Sequence, residues 1–117
     1  MNWAYIAGFF DGEGGIYRSH KNQSDNNYYW QLQIGQKDRL VLEKIKDFVG
    51  YGAIYRMGKN QFSSYHILRQ QQVLNFAIKI APYVIVKKEQ INYFFKHPWK
   101  QKIKTRRKFN KQNNVQS

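Results

Sequence analysis

The spacing of hydrophobic and polar residues changes several times along the chain, and each change marks an element. The first segment, Trp3 to Glu13, reads as a helix despite its glycines. Ala4, Gly8 and Gly12 fall at i, i+4 and i+8, on one helical face. Glycine costs about 1 kcal/mol against alanine inside a helix, so two of them require a reason. A stripe of small residues lets another backbone approach closely, a use best documented in membrane helices. The alternative is a poor helix packed on its own sheet. Gly14-Gly15 ends the helix, Ile16 to Lys21 is predicted as a strand, and residues 22–27 as a polar loop.

Tyr28 to Gln36 alternates strictly. Trp30, Leu32 and Ile34 take one side, and Tyr29, Gln31, Gln33 and Gly35 the other, which is the period of a half-buried strand. Asp38 then caps a helix running to Val49, with Val41, Leu42, Ile45, Phe48 and Val49 as its apolar face and Gly50 as its stop. Ala53 to Met57 and Ser64 to Arg69 are predicted strands, joined by a turn over Gly58 to Gln61. A third helix covers Gln71 to Ala81 and stops before Pro82. Lys88 to Lys96 makes a short last helix before Pro98. Hairpins separated by helices predict an α+β domain with the helices on one sheet face, leaving the opposite face free to bind.

Composition narrows what that face could bind. At 117 residues one domain is expected, and 42% hydrophobic residues are enough for a core. Twenty Lys and Arg against 7 Asp and Glu give a net charge of +13, which calls for an anionic partner. No apolar run approaches the roughly 18–20 residues needed to span a bilayer, so nucleic acid is favoured over membrane. The absence of cysteine excludes disulfides and thiolate-held metals. Abundant Lys, Asn, Ile, Tyr and Phe hint at an AT-rich coding genome, hence an organelle (chloroplast or mitochondrion), a phage or a bacterial cytoplasm. From Lys100 the chain turns basic and then polar, so the domain is placed at residues 1–98 and a partly disordered tail at 99–117. Within that tail Lys100 to Lys108 could equally serve to bind phosphates.

Acids are scarce. Asp38, Glu43 and Asp47 are explained by capping and solvated-face roles on the second helix, and Asp25 lies in a polar loop. Asp11 and Glu13 stand out because they flank a glycine at a helix C-terminus, where the macrodipole disfavours an acid. A divalent cation there reverses the sign, taking Glu13 and a neighbouring backbone carbonyl as ligands. Cleavage of a phosphodiester commonly uses such a carboxylate-held ion, and a dimer would bring two copies of Glu13 together. Asp11 could instead simply accept hydrogen bonds from backbone amides. His20, His66 and His97 show no ligand spacing.

The nine residues Ile6-Ala7-Gly8-Phe9-Phe10-Asp11-Gly12-Glu13-Gly14 closely resemble the LAGLIDADG signature of homing endonucleases and intron maturases. Gly14-Gly15-Ile16, Gln36-Lys37 and Pro82-Tyr83 followed by Lys87-Lys88 resemble the single-motif, homodimeric, chloroplast-intron-like branch, and the likeness extends to about residue 96. The resemblance implies an αββαββα fold whose saddle-shaped four-stranded antiparallel sheet lies in the DNA major groove, with motif helices paired at a dimer interface through Ala4, Gly8, Asp11 and Gly12. It implies that Glu13 holds Mg2+ (or another divalent metal such as Mn2+) with help from the Gly12 carbonyl. Gln36 would position the water network, and Lys87 would stabilise charge, Lys88 taking that role if the alignment slips by one. The implied activity is a double-strand break in a long pseudo-palindromic DNA site. An intron RNA maturase and a non-catalytic DNA-binding regulator on the same fold are the alternatives. Two departures are visible: the motif ends in Glu13 where Asp is usual, and a basic residue expected after Gln36-Lys37 could be Arg39 or be replaced by Leu40.

Strand parity then names the DNA-facing side. If Ile16, Trp30, Leu32, Ile34, Ile54 and Ile67 face the helices, the opposite set is Tyr17, Ser19, Lys21, Tyr29, Gln31, Gln33, Ala53, Tyr55, Met57, His66 and Leu68. Gln pairs with adenine and Ala or Met with the thymine methyl, so an A·T-leaning site is expected. Arg18, Arg56 and Arg69 fall on the other parity and are assigned to strand edges or phosphates.

Overall fold

Four helices pack on one face of a four-stranded antiparallel sheet. The computed structural model describes residues 1–20, 28–58 and 62–97. In chain order the elements are α1 (Trp3–Glu13), β1 (Gly14–His20), β2 (Tyr28–Gln36), α2 (Arg39–Val49), β3 (Ala53–Met57), β4 (Phe62–Ile67), α3 (Gln70–Ile80) and α4 (Lys88–Lys96). The sheet order is β1-β2-β4-β3, so β2 and β4 are central. Each helix–hairpin unit contributes one central and one edge strand.

The N-cap expected at Asp38 is present, and α1 has one at Asn2 that was not expected. Asn2 accepts the Tyr5 N–H at 2.8 Å to start α1, and Asp38 accepts the Leu40 N–H at 3.0 Å to start α2. Gly50, at φ +94°, ends α2 in the left-handed region that favours glycine. The alternation of β2 also holds: Trp30, Leu32 and Ile34 are buried with Ile16, Tyr65 and Ile67 from the neighbouring strands. They meet Ile6, Ala7 and Phe10 of α1, Leu42 and Ile45 of α2, Val73, Phe76 and Ile80 of α3, and Ile91 and Phe94 of α4. Deeply buried Tyr65 donates to the Tyr51 carbonyl at 2.6 Å; burial, with Tyr51 nearby, pushes its phenol well above the usual value.

Three elements have boundaries that differ from the sequence reading. β1 begins at Gly14, directly after α1, rather than at Ile16. β4 begins at Phe62 rather than Ser64 and ends at Ile67 rather than Arg69. The early end has a physical cause. Beyond the Leu32–Ile67 pair, the Gln70 side chain replaces the strand: its amide accepts from Trp30 N–H at 2.7 Å and donates to the Trp30 carbonyl at 2.7 Å. Consequently α3 starts at Gln70, one residue earlier than expected, and ends at Ile80. Gln90 of α4 does similar work at the sheet edge, accepting the Ile16 N–H of β1 at 2.9 Å. Residues 59–61 of the expected turn, Lys21 and the basic tail lie outside the described residues.

Candidate functional site

Glu13 is the last residue of α1, and the chain passes from it straight into β1. Gly14 makes that passage possible. Its extended backbone returns an N–H to the Phe10 carbonyl, and a Cβ there would sit 2.7 Å from the Phe10 ring and 3.1 Å from the Gln33 carbonyl. The junction is thus locked between α1 and β2, with the Glu13 side chain exposed. Among the described residues Glu13 has no hydrogen-bond or ion-pair partner.

Lys87 and Asp11 build the surroundings of this helix end. The Lys87 ammonium donates to the carbonyls of Gly14 (2.6 Å), Asp11 (3.1 Å) and Phe10 (3.4 Å), leaving that of Gly12 outside its set. A cation bonded to carbonyls at a helix C-terminus offsets the negative end of the dipole. Lys88, the neighbour that could have taken this place, is instead the first residue of α4. Asp11 accepts N–H groups of Ile85 at 2.7 Å and Lys87 at 2.8 Å, so it ties the segment before α4 to α1 within one chain. Partial desolvation raises its carboxyl pKa, but the Lys87, Ile85 and Val86 amides and the Lys87 charge outweigh it and hold the group below its usual value.

Asp11→Ala is therefore expected to lower stability by about 1–3 kcal/mol, as for hydrogen bonds to a charged acceptor, measured by urea unfolding. The folded pKa is depressed, so the contribution is complete above the unfolded value of about 3.9. It is lost as pH falls through the folded one. The gap between wild type and variant should close on that descent; a gap unchanged at low pH would show that the carboxylate is not the stabilising group.

The open sheet face carries the residues that parity assigned to it. Tyr17, Tyr29 and Tyr55 are exposed there, and Gln31 donates to the Ser19 hydroxyl at 3.0 Å across the β1–β2 pair. Gln33, His66 and Ala53 form one row across β2, β4 and β3. Met57 pairs with Phe62 in the register. Leu68 is exposed but lies just past the end of β4, so it is not a strand residue as expected. Arg18 stacks on Tyr28, Trp30 and Tyr93, 5.0–5.9 Å from their ring centroids, on the helix side.

The His66 imidazole sits edge-on to Tyr55, and its Nε2 is buried with no partner. Desolvation lowers its pKa and so favours the neutral imidazole in the folded protein. The unfolded chain takes up this proton first on acidification, so His66 costs stability as pH falls through about 6.5. His66→Phe should reduce the loss of stability between about pH 7 and pH 5 in urea titrations; an identical loss would exclude His66 as a contributor.

A groove of about 250 Å³ joins the acid to the open face, lined by Glu13, Tyr17, Gln33, Gly35, Phe62 and Ser64. Gln36 is not among its lining residues; its amide oxygen accepts from Lys37 N–H at 2.7 Å at the end of β2. Lys87 is likewise engaged with the carbonyls of Phe10, Asp11 and Gly14 rather than the groove. No group of three or more Asp, Glu, His or Cys gathers among the described residues. Among the described residues at this helix end, Glu13 is the one uncommitted carboxylate, which gives a hard divalent cation few of the six or more oxygens it prefers. The donor chemistry of Glu13 and a neighbouring carbonyl suits such an ion only as part of a larger ligand set.

Gly8 and Gly12 face open space, with nothing within 4 Å of a Cβ at either position, and Ala4 is exposed beside them. Ile85 and Val86, held next to α1 through Asp11, are 80% and 74% exposed. Their apolar character was visible in the sequence, but their link to α1 was not. Phe62 and Ser64 were also missed on the open face. Phe62 fell outside the expected strand, and Ser64 was taken as a strand start without being assigned to that face.

Comparison with known proteins agrees with this fold. The LAGLIDADG endonuclease family profile matches residues 6–103. DNA endonuclease I-CreI of Chlamydomonas reinhardtii is 31% identical over 98 residues, 79% of this chain and 59% of that protein. The archaeal intron-encoded homing endonuclease I-Vdi141I, solved in complex with DNA, superposes with a TM-score of 0.70 at 33% identity, covering 80% of this chain and 64% of that one. The meganuclease I-AabMI bound to uncleaved DNA gives 0.69 at 26% identity, covering 82% and 35%. The chain thus spans about three-fifths of the length of the first two relatives. Among the described residues no helix is long and apolar enough to cross a membrane. From the glycine-bearing helix with its terminal acid to the sheet that follows, the chain belongs to the LAGLIDADG endonuclease family.

Proposed function

We propose that this chain is a site-specific DNA homing endonuclease that works as a homodimer and makes a divalent-metal-dependent double-strand break. The observation that carries the reading is the groove in which the unpartnered Glu13 meets Tyr17 and Gln33 of the open sheet face. A carboxylate free to take a cation thereby stands beside side chains suited to base edges, on a protein of net charge +13. The exposed stripe of Ala4, Gly8 and Gly12, flanked by Ile85 and Val86, is the surface on which a second copy seats its own α1.

In this mechanism Glu13 and the Gly12 carbonyl would hold Mg2+, with Mn2+ as a substitute, and the ion would supply charge stabilisation for the attacking and leaving oxygens. Lys87 keeps positive charge at the C-terminal end of α1, where phosphate charge develops. Gln36, one residue beyond the groove-lining Gly35, orients water. Asp11 positions Lys87 through its backbone N–H. Tyr17, Tyr29, Gln31, Gln33, Ala53, Tyr55 and His66 face the major groove, and the two-fold axis of the dimer matches a pseudo-palindromic site. Incubation with a randomised palindromic DNA library should give specific cutting that requires Mg2+. Absence of any specific cutting would overturn the endonuclease reading.

A further inference from the structure

The geometry points to Phe62, seated on Gly35, as a specificity-determining residue that takes the 5-methyl group of a thymine beside the cleavage centre. This rests on the DNA-cleaving reading above and adds to it the chemistry of one base contact.

Phe62 opens β4 with its ring on the side opposite the hydrophobic core, in parity with Ser64 and His66. It is 41% exposed although it is a large apolar group. The ring reaches across to β2 and lies on the bare backbone of Gly35, where a Cβ would come within 2.7 Å of it. Gly35 has an ordinary strand environment, paired with Ser64, and needs no positive φ. Its missing side chain therefore makes room for the ring. Filling the gap above a strand glycine is a known use of an aromatic residue, and it explains one face of the ring. The exposed part of the ring lines the groove that also holds Glu13, Tyr17 and Gln33.

Major-groove chemistry identifies the group that suits this apolar surface. The thymine methyl is the one apolar projection among the four natural bases, and phenylalanine is among the side chains that contact it. Gln33, in the same groove, supplies the amide for the polar edge of that base pair or its neighbour. Because Glu13 shares the groove, the base pair concerned lies near the bond that is cut, and two-fold symmetry places one such thymine in each half-site.

The test starts from the best site that the wild-type chain selects from a randomised duplex library. Each thymine is then replaced singly by deoxyuridine, which removes only the methyl. Binding is measured by fluorescence anisotropy without divalent metal, for wild type, Phe62→Ala and Phe62→Leu. Replacement at one symmetry-related pair of central thymines should weaken wild-type binding about fourfold per methyl lost, the ratio for burying one methyl-sized group. Phe62→Ala should bind the thymine and deoxyuridine sites equally, and Phe62→Leu should retain part of the discrimination, which guards against a folding defect. The same deoxyuridine penalty in Phe62→Ala as in wild type would overturn the assignment, as would a selected site with no methyl-sensitive central thymine. A wild-type chain that selects no site overturns the DNA-cleaving reading itself, and this assignment with it.

Discussion

Glu13→Gln should abolish DNA cleavage, by at least about a hundredfold to a thousandfold, while leaving the fold and DNA binding intact. The size follows from losing a preorganised charge that stabilises the transition state. The selectivity follows from the surroundings of Glu13. It is exposed and unpartnered among the described residues, so the neutral amide leaves no buried group unsatisfied. Its negative charge also stands at the wrong end of the α1 dipole, so removing it should raise thermal stability slightly rather than lower it. A variant with a higher melting temperature, unchanged DNA affinity and no cutting identifies an acid retained for chemistry against the preference of its helix. Equal cutting by the variant would remove Glu13 from the active site. A collapse in stability would show that it has a structural partner.

Lys87 accounts for part of the tolerance of that helix end. Its ammonium bonds three carbonyls there and partly compensates the dipole that Glu13 opposes. This arrangement was only half legible in the sequence. The acid could be singled out because Asp11, Gly12 and Glu13 sit where glycine and acid are both unfavourable in a helix. The carbonyl partners of Lys87 are some 75 residues away in sequence and have no local signature. The fold was more legible. Period-two alternation gave β2 its limits and its buried side, and capping residues Asp38 and Gly50 gave α2 its ends. Reading failed where a side chain substitutes for backbone. The Gln70 amide satisfies Trp30 in place of a strand residue, so Leu68 and Arg69 leave a ladder that their apolar and basic pattern appeared to continue. Reading also failed at Phe62, where an apolar residue faces outward over a glycine. Hydrophobicity alone assigns such a residue to no face.

Gly8→Leu should convert the proposed dimer to a monomer and with it eliminate cleavage, and this separates the two explanations of a glycine-bearing helix. A Cβ at Gly8 meets nothing within 4 Å in one chain, so nothing inside the domain requires glycine there. If α1 were merely a weak helix packed on its own sheet, a larger residue would be harmless, and Gly8→Ala would stabilise the chain by up to about 1 kcal/mol through helix propensity alone. If two α1 helices cross at Ala4, Gly8 and Gly12, the leucine side chain occupies the space of the partner backbone. The two chemistries of the site then fail together, because each chain supplies one copy of Glu13 and one half of the reading face. Sedimentation velocity should show the Gly8→Leu chain as a folded monomer with an unfolding free energy equal to or above that of the isolated wild-type subunit. An intact, active dimer of this variant would place the interface elsewhere, and the exposed pair Ile85 and Val86 would become the surface to probe by substitution with lysine.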